Sequence, residues 1–302
     1  MKRRAVLLVL LGVIGVSCSG PLVKLALEAG ANPVTIACLR MALSSLAISL
    51  PAARRGELAQ VCRGPRRVFG LATLAAFLLA LHYVAWMTSL RTTSTFSSVA
   101  LVSTQPLFVA LFSGLVLKEP TPRAALPGAT LAVLAAIGIG LFSVSGEGAS
   151  IVGDLLALSA AVTMAGHWLC GRAARRTVPA LGYMVLVYGL TALMLAAMMP
   201  MLGGFCAPWA SLPYIGLLIA MCTLGGHALF TYALGFVNAD VVSFALLGEP
   251  VGAGLLALLF FGERVSLAMA VCGCLVVVGL AAYLRGVQRA ARKQAMAARE
   301  EY

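Results

Sequence analysis

The sequence feature that most constrains this chain is a series of nearly uncharged apolar blocks of about twenty residues, repeated from one end to the other. Ten can be delimited: Ala5–Leu27, Pro33–Leu50, Val68–Leu90, Phe96–Leu117, Ala125–Val144, Ile151–Cys170, Leu181–Met201, Leu212–Leu234, Ala239–Phe261 and Leu267–Leu284. A helix of that length crosses the roughly 30 Å hydrocarbon core of a bilayer. A β-barrel would show short alternating segments rather than continuous apolar runs. Composition agrees, with 61% hydrophobic residues, only 11% charged ones and a mean hydropathy of +1.00. A soluble domain carries roughly 25% charged residues, and this chain has too few polar groups to face water. The expected fold is therefore an all-α integral membrane protein with ten transmembrane helices.

The N-terminal Met1-Lys2-Arg3-Arg4, its apolar run and Val16-Ser17-Cys18 resemble a secretory signal. Gly15 stands where a large aliphatic residue would precede a lipid-modified cysteine, and the run continues to Leu27, so the segment is read as the first span.

The formal net charge of +12 is explained by where the cations fall, and nucleic acid is not expected as a partner. With ten spans and an inside N-terminus, the inner turns and tail hold 18 of the 22 Lys and Arg residues, from Lys2, Arg3 and Arg4 to Arg292, Lys293 and Arg299. Lys24, Arg91 and Arg264 fall outside, and Arg40 lies within a span. This asymmetry follows the positive-inside rule and predicts that both termini are cytoplasmic. The basic tail 286–302 is expected to be solvated or to lie as a helix against anionic lipid. The eight cysteines form no C-x-x-C pair, so neither a disulfide framework nor a metal site is expected.

An internal repeat divides the chain. A shift of 144 residues superposes Pro106 on Pro250 and Glu119 on Glu263 without a gap. The halves, 1–146 and 147–285, would each hold five spans, and an odd number makes the second enter the membrane in the opposite sense. Two inverted five-helix repeats suit alternating access, because exchanging the conformations of the halves turns an inward-facing protein outward.

The run from His82 to Leu90, then Ser98 to Phe108 and Lys118-Glu119, resembles EamA-type members of the drug/metabolite transporter superfamily. The second half repeats the likeness in Gly226-His227, Leu247-Gly248-Glu249-Pro250-Val251 and Gly262-Glu263. Lys24, Arg40 and Gly153-Asp154-Leu155 add to it, and the resemblance extends to about Leu284. It implies a central cavity between the repeats and secondary transport of small polar metabolites, often outward, in the plasma (inner) membrane.

An acidic or basic side chain at mid-membrane depth costs roughly 2.5–3.5 kcal/mol on insertion scales, so each invites a functional role. Glu249 lies deep in the ninth span, and Pro250 after it cannot bond the carbonyl of Leu246. An acid beside an open carbonyl could take a cation or a proton. Gln105 is its repeat partner, before Pro106, and both prolines are expected to kink their helices. Ser94, Ser98 and Gln105 share one helical face, suited to lining a path or to close packing. His82 and Trp86, four apart, could stack a planar or cationic solute. His227 with Glu249 forms a candidate proton relay. His167 beside Trp168 is a weaker candidate, and Arg40 could hold a substrate carboxylate or pair with Glu249. Gly248-x-x-x-Gly252 reads as a tight helix crossing.

The expected function is a secondary transporter of a small polar metabolite, with an amino acid as one candidate and export as the favoured direction. An intramembrane enzyme or a non-transporting scaffold are the alternatives. Against the first, Gly15-Val16-Ser17-Cys18-Ser19 misses the nucleophile pattern, and no H-E-x-x-H is present. The lack of a phosphate-binding loop excludes ATP-driven work by this chain and leaves no cofactor expected. Membrane lipid and the solute are the expected partners, and the sequence leaves the oligomeric state open, a monomer included.

Overall fold

The computed structural model describes residues 3–92, 98, 101–119, 121–143, 151–249, 251–253, 255–256 and 267–300, and no strand occurs among them. Pro250, Glu263, Arg264 and Ser94 lie outside the described residues.

α1 (Arg3–Ser17) and α2 (Ser19–Glu28) meet at Cys18, and together they supply the first apolar span. The chain then reverses at Gly30, whose φ of 89° favours glycine. Asn32 caps α3 (Pro33–Arg54): its side-chain oxygen accepts from Val34 N at 3.0 Å, while Pro33 occupies the first turn, where no donor is needed. The short α4 (Glu57–Cys62) lies in the basic turn, and α5 (Arg66–Thr92) follows. α6 (Gln105–Phe112) continues as a π turn, Ser113–Leu117, ahead of α7 (Leu126–Ser143). α8 (Ile151–Arg175) and α9 (Ala180–Met198) open the second half.

α10 (Leu212–Leu217) widens into a π-helix, Leu218–His227, and narrows again as α11 (Ala228–Ala233). α12 (Ala239–Ala245) ends in a 3₁₀ turn, Leu246–Gly248. α13 (Leu267–Glu300) closes the fold. Seven helical segments among the described residues are long and apolar enough to cross a membrane, and Gln105–Leu117, Arg123–Ala135 and Val241–Ala253 are shorter apolar ones.

Pro106 sits in the first turn of α6, directly after a turn at Ser103–Thr104, where its missing N–H costs nothing. The basic tail from residue 286 lies in the same helix as the last apolar run. α13 runs through it, and Gly286 packs against Ala124 and Ala125.

Large apolar side chains such as Leu46, Leu115, Leu134 and Leu193 face outward, each more than 60% exposed, whereas Arg40, His82, His167 and Gln105 are buried. That is the arrangement lipid demands. α5 lies along α8, α3 along α9, α7 along α13, α6 against α12, and α1 across the π segment. In lipid such pairs are held by close packing rather than by escape from water. Gly248 and Gly252 accordingly lie against Val13 and Ser17 of α1. Gly128 faces the backbone of Gly279 and Tyr283 on α13. A side chain there would have to push two backbones apart, so Gly128→Val is expected to destabilise the fold by roughly 3 kcal/mol, read as a lowered melting temperature in detergent.

The turns are tied at both ends of the bundle. At one end, Asn32 Nδ2 donates to Leu202 O at 3.0 Å and Cys206 N donates to Thr35 Oγ1 at 3.1 Å. At the other, Glu57 Oε2 accepts from Leu181 N at 2.8 Å and Gly182 N at 3.2 Å, capping the start of α9 with a carboxylate.

Candidate functional site

Near the middle of the helices lies a cavity with about 530 Å³ of space free of protein atoms, part of it open to solvent. Arg40, His82, Trp86, Gln105, His227 and Glu249 all line it. The sequence had singled out each of these as a polar or aromatic residue in an apolar run. Ser19, Tyr83, Val102, Ser103, Met164 and Leu246 complete the wall. Both halves contribute, and the two interrupted helices deliver Gln105 and Glu249 immediately after their breaks, at Ser103–Thr104 and Leu246–Gly248.

Arg40, on α3, is fully buried. Its Nε donates to Thr223 Oγ1 at 2.7 Å, and its guanidinium lies 5.2 Å from the centroid of the Tyr83 ring. Thr223 belongs to the π segment, where its own hydroxyl reaches Leu218 O, five residues back, at 3.4 Å. The expected alternative of an ion pair between Arg40 and Glu249 is not formed among the described residues. A π bulge re-aims side chains, and such bulges recur at functional sites.

His82 and Trp86 stack with ring centroids 5.9 Å apart and planes 17° from parallel. His82 Nδ1 donates to Ala160 O on α8 at 3.0 Å; a carbonyl can only accept, so this bond fixes the proton on Nδ1 and leaves Nε2 as the acceptor. His167 makes the reciprocal bond from α8, Nδ1 to Ala75 O at 3.1 Å. The two histidines thus bracket the α5–α8 crossing, and His167 stands outside the cavity lining as a packing residue. His227 stacks on Trp168 at 5.9 Å, with planes 11° apart. Ser98 is turned away from the cavity, its Oγ 2.5 Å from Ser89 Oγ.

A second polar cluster, whose mutual contact the sequence did not mark, sits at the end of the bundle that carries Glu57. Glu119 takes a bidentate pair from Arg172, Nη2 at 2.9 Å and Nε at 3.2 Å, and a further bond from Arg176. Arg172 also donates to Leu234 O at 2.7 Å and Asn238 Oδ1 at 3.1 Å. One guanidinium therefore ties the end of the fourth apolar segment to the turn before α12. Burial pushes the Glu119 carboxyl up, but the bonds from Arg172 and Arg176 outweigh it and hold it below its ordinary 4.5. Because the folded value is lowered, the contribution of this cluster to stability is complete above about pH 4.5 and is lost as the pH falls through the lowered value. The spacing of Arg172 and Arg176, four apart on one helix face, was the signal that could have found it.

All eight cysteines are free, and no group of three or more metal-ligating side chains occurs among the described residues.

A helical membrane protein whose interrupted helices bring polar side chains to a buried central cavity belongs, by architecture, to the solute transporters. The comparison with known proteins is specific: residues 3–141 and 151–285 each match the EamA-like transporter family. The chain belongs to that family and is a multi-pass membrane transporter rather than an enzyme. It is 29% identical over 204 residues to the uncharacterized transporter YwfM of Bacillus subtilis (strain 168), covering 65% of this chain and 67% of that protein. Its fold is similar to that of a solved structure described only as "Crystal structure of protein", with a TM-score of 0.77 and 18% identity over 96% of this chain and 99% of that one.

Proposed function

We propose that this chain is a secondary transporter that moves a small polar metabolite by alternating access, outward across the plasma (inner) membrane, with both termini cytoplasmic. The observation that carries the proposal is the cavity: Arg40, His82, Trp86, Gln105, His227 and Glu249, far apart in sequence, meet there from both halves. An amino acid is one candidate solute. Glu249 and His227 are the groups available to couple transport to protons, and no cofactor is needed.

The helix packing supports ten spans in two inverted sets of five, 1–146 and 147–285. Counted in span order, the third packs on the sixth and the first on the eighth. Exchanging the halves converts each of these contacts into the other. The second with the seventh, fourth with ninth and fifth with tenth map onto themselves. The breaks before Gln105 and Glu249 also stand 144 residues apart, as does the residue pair itself. Separate family matches to the two halves agree with this division.

Alternating access requires one end shut while the other is open. The Glu119–Arg172–Arg176 cluster lies at the end predicted to be cytoplasmic. Near the opposite end, a hollow of about 640 Å³, open to solvent, is bounded by Gly20, Lys24, Leu27, Glu28, Leu90 and Arg91. On this reading the structure is an outward-facing form. The test is flux: purified protein in liposomes should exchange labelled metabolites against unlabelled ones, faster when a pH gradient is applied. The absence of flux for every metabolite pool, in a preparation with native thermal stability, would sink the proposal.

A further inference from the structure

We propose that the cavity holds its solute by a carboxylate seated on Nη1 and Nη2 of Arg40. This deepens the transport reading and rests on its assignment of the cavity as the solute site. Arg40 is 0% exposed, and Thr223 takes its Nε while Tyr83 lies under the guanidinium. Nη1 and Nη2 are also buried, yet neither has a hydrogen-bond partner among the described residues. A guanidinium cannot relieve this by losing its proton, and a buried charged donor left unpaired is costlier than a neutral one. Arg40 lines the cavity, which sets these unpaired donors behind the wall that a solute oxyanion would meet.

Geometry selects the kind of anion. With Nε held and the ring below, the guanidinium plane is fixed, and its remaining edge offers two parallel N–H groups. That spacing matches the two oxygens of a planar carboxylate. The described lining holds one guanidinium and one carboxyl group, Arg40 and Glu249. A dianion such as a phosphate monoester would face one cation and be repelled by an ionised Glu249. A single negative charge fits better.

Gln105 supplies the second half of the specification. Its Oε1 is buried in the same wall without a partner, an acceptor waiting for an N–H or O–H. The flat His82–Trp86 pair bounds the remaining space. The solute class is therefore a small monocarboxylate that carries a hydrogen-bond donor.

Acid and amide pairs of the same skeleton test this without any variant: lactate with lactamide, L-leucine with L-leucinamide, and L-phenylalanine with L-phenylalaninamide. Each is titrated against the purified protein while melting temperature and tryptophan fluorescence are followed. At least one acid should bind, and its amide should bind roughly tenfold or more weakly. Arg40→Lys keeps a cation but loses the fork, and should weaken the acid by a similar factor and so narrow the gap between acid and amide. Equal binding of acid and amide, or no response to any acid in the panel, overturns the proposal. So does preferential binding of a phosphate monoester such as glycerol 3-phosphate. Flux in liposomes separates this from the transport reading: an acid that binds through Arg40 but never crosses leaves the site standing and removes transport. A solute that crosses regardless of its carboxylate does the reverse.

Discussion

Glu249→Gln is expected to lower solute flux by roughly ten- to a hundred-fold while leaving expression, insertion and melting behaviour close to those of the parent. The substitution keeps the shape and size of the side chain and removes only its ability to ionise. Glu249 makes no ion pair among the described residues, so no partner is orphaned by the change. Its surroundings in the cavity wall are Arg40, His82, His227 and Gln105, groups that could trade a proton or a solute with it. The comparison that decides its role is flux at several pH values, with and without a pH gradient. In the parent, flux should respond to the gradient; in the variant, the residual flux should not. A variant whose flux still follows pH as the parent's does would take Glu249 out of proton coupling. His227→Gln would then be the next substitution to make.

The six polar and aromatic cavity residues were legible in the sequence for one physical reason: in an apolar run that must dissolve in hydrocarbon, every costly side chain stands out. Arg40, His82, Gln105, His227 and Glu249 stand out because they are expensive there, and Trp86 because it falls one turn from a histidine. The same logic could not find Tyr83 or Met164, which are ordinary residues in a membrane helix. Thr223 was hidden more deeply, since a helical threonine usually bonds its own helix. The π widening of Leu218–His227, which no periodicity marks, is where its hydroxyl both reaches back to Leu218 O and accepts from Arg40.

His167 was legible as costly but not as structural; only the antiparallel crossing of α5 and α8 shows that Ala75 answers it as Ala160 answers His82. The helix breaks followed a related pattern. Proline signalled a disturbance at Pro106, but its ability to begin a helix as well as to bend one left the form of the break open until the turn at Ser103–Thr104 was seen. Arg172, Arg176 and Glu119 were misjudged in the opposite direction. As cations at a helix end Arg172 and Arg176 satisfied the positive-inside rule, and Glu119 was accounted for as the repeat partner of Glu263, so that sufficient explanations concealed a mutual contact between segments more than fifty residues apart.

That contact carries the second large prediction. Arg172→Ala should shift the protein toward a form open at the Glu119 end, changing the ratio of the two forms by roughly ten- to a hundred-fold. Arg172 and Glu119 are only 13% and 15% exposed, so solvent screens the pair weakly. Removing the guanidinium frees Leu234 O and Asn238 together with the carboxylate, and thereby unties α8 from the turn leading into α12. Arg176 remains, but at 44% exposure it is a weaker hold. Arg172→Lys should fall between parent and alanine, because an ammonium keeps the charge and loses the two-pronged grip.

The shift can be read with a cysteine placed at Val102, in the cavity wall, in a background whose native cysteines have been replaced. A membrane-impermeant thiol reagent applied at the face that carries Glu119 should label it faster in Arg172→Ala than in the parent, and labelling from the other face should slow in step. Faster labelling from both faces would mean that the bundle has loosened rather than switched, and the cluster would then be a stabilising contact with no part in gating. Opposite changes at the two faces are what a latch between alternate states requires, because whatever frees one end of such a protein must close the other.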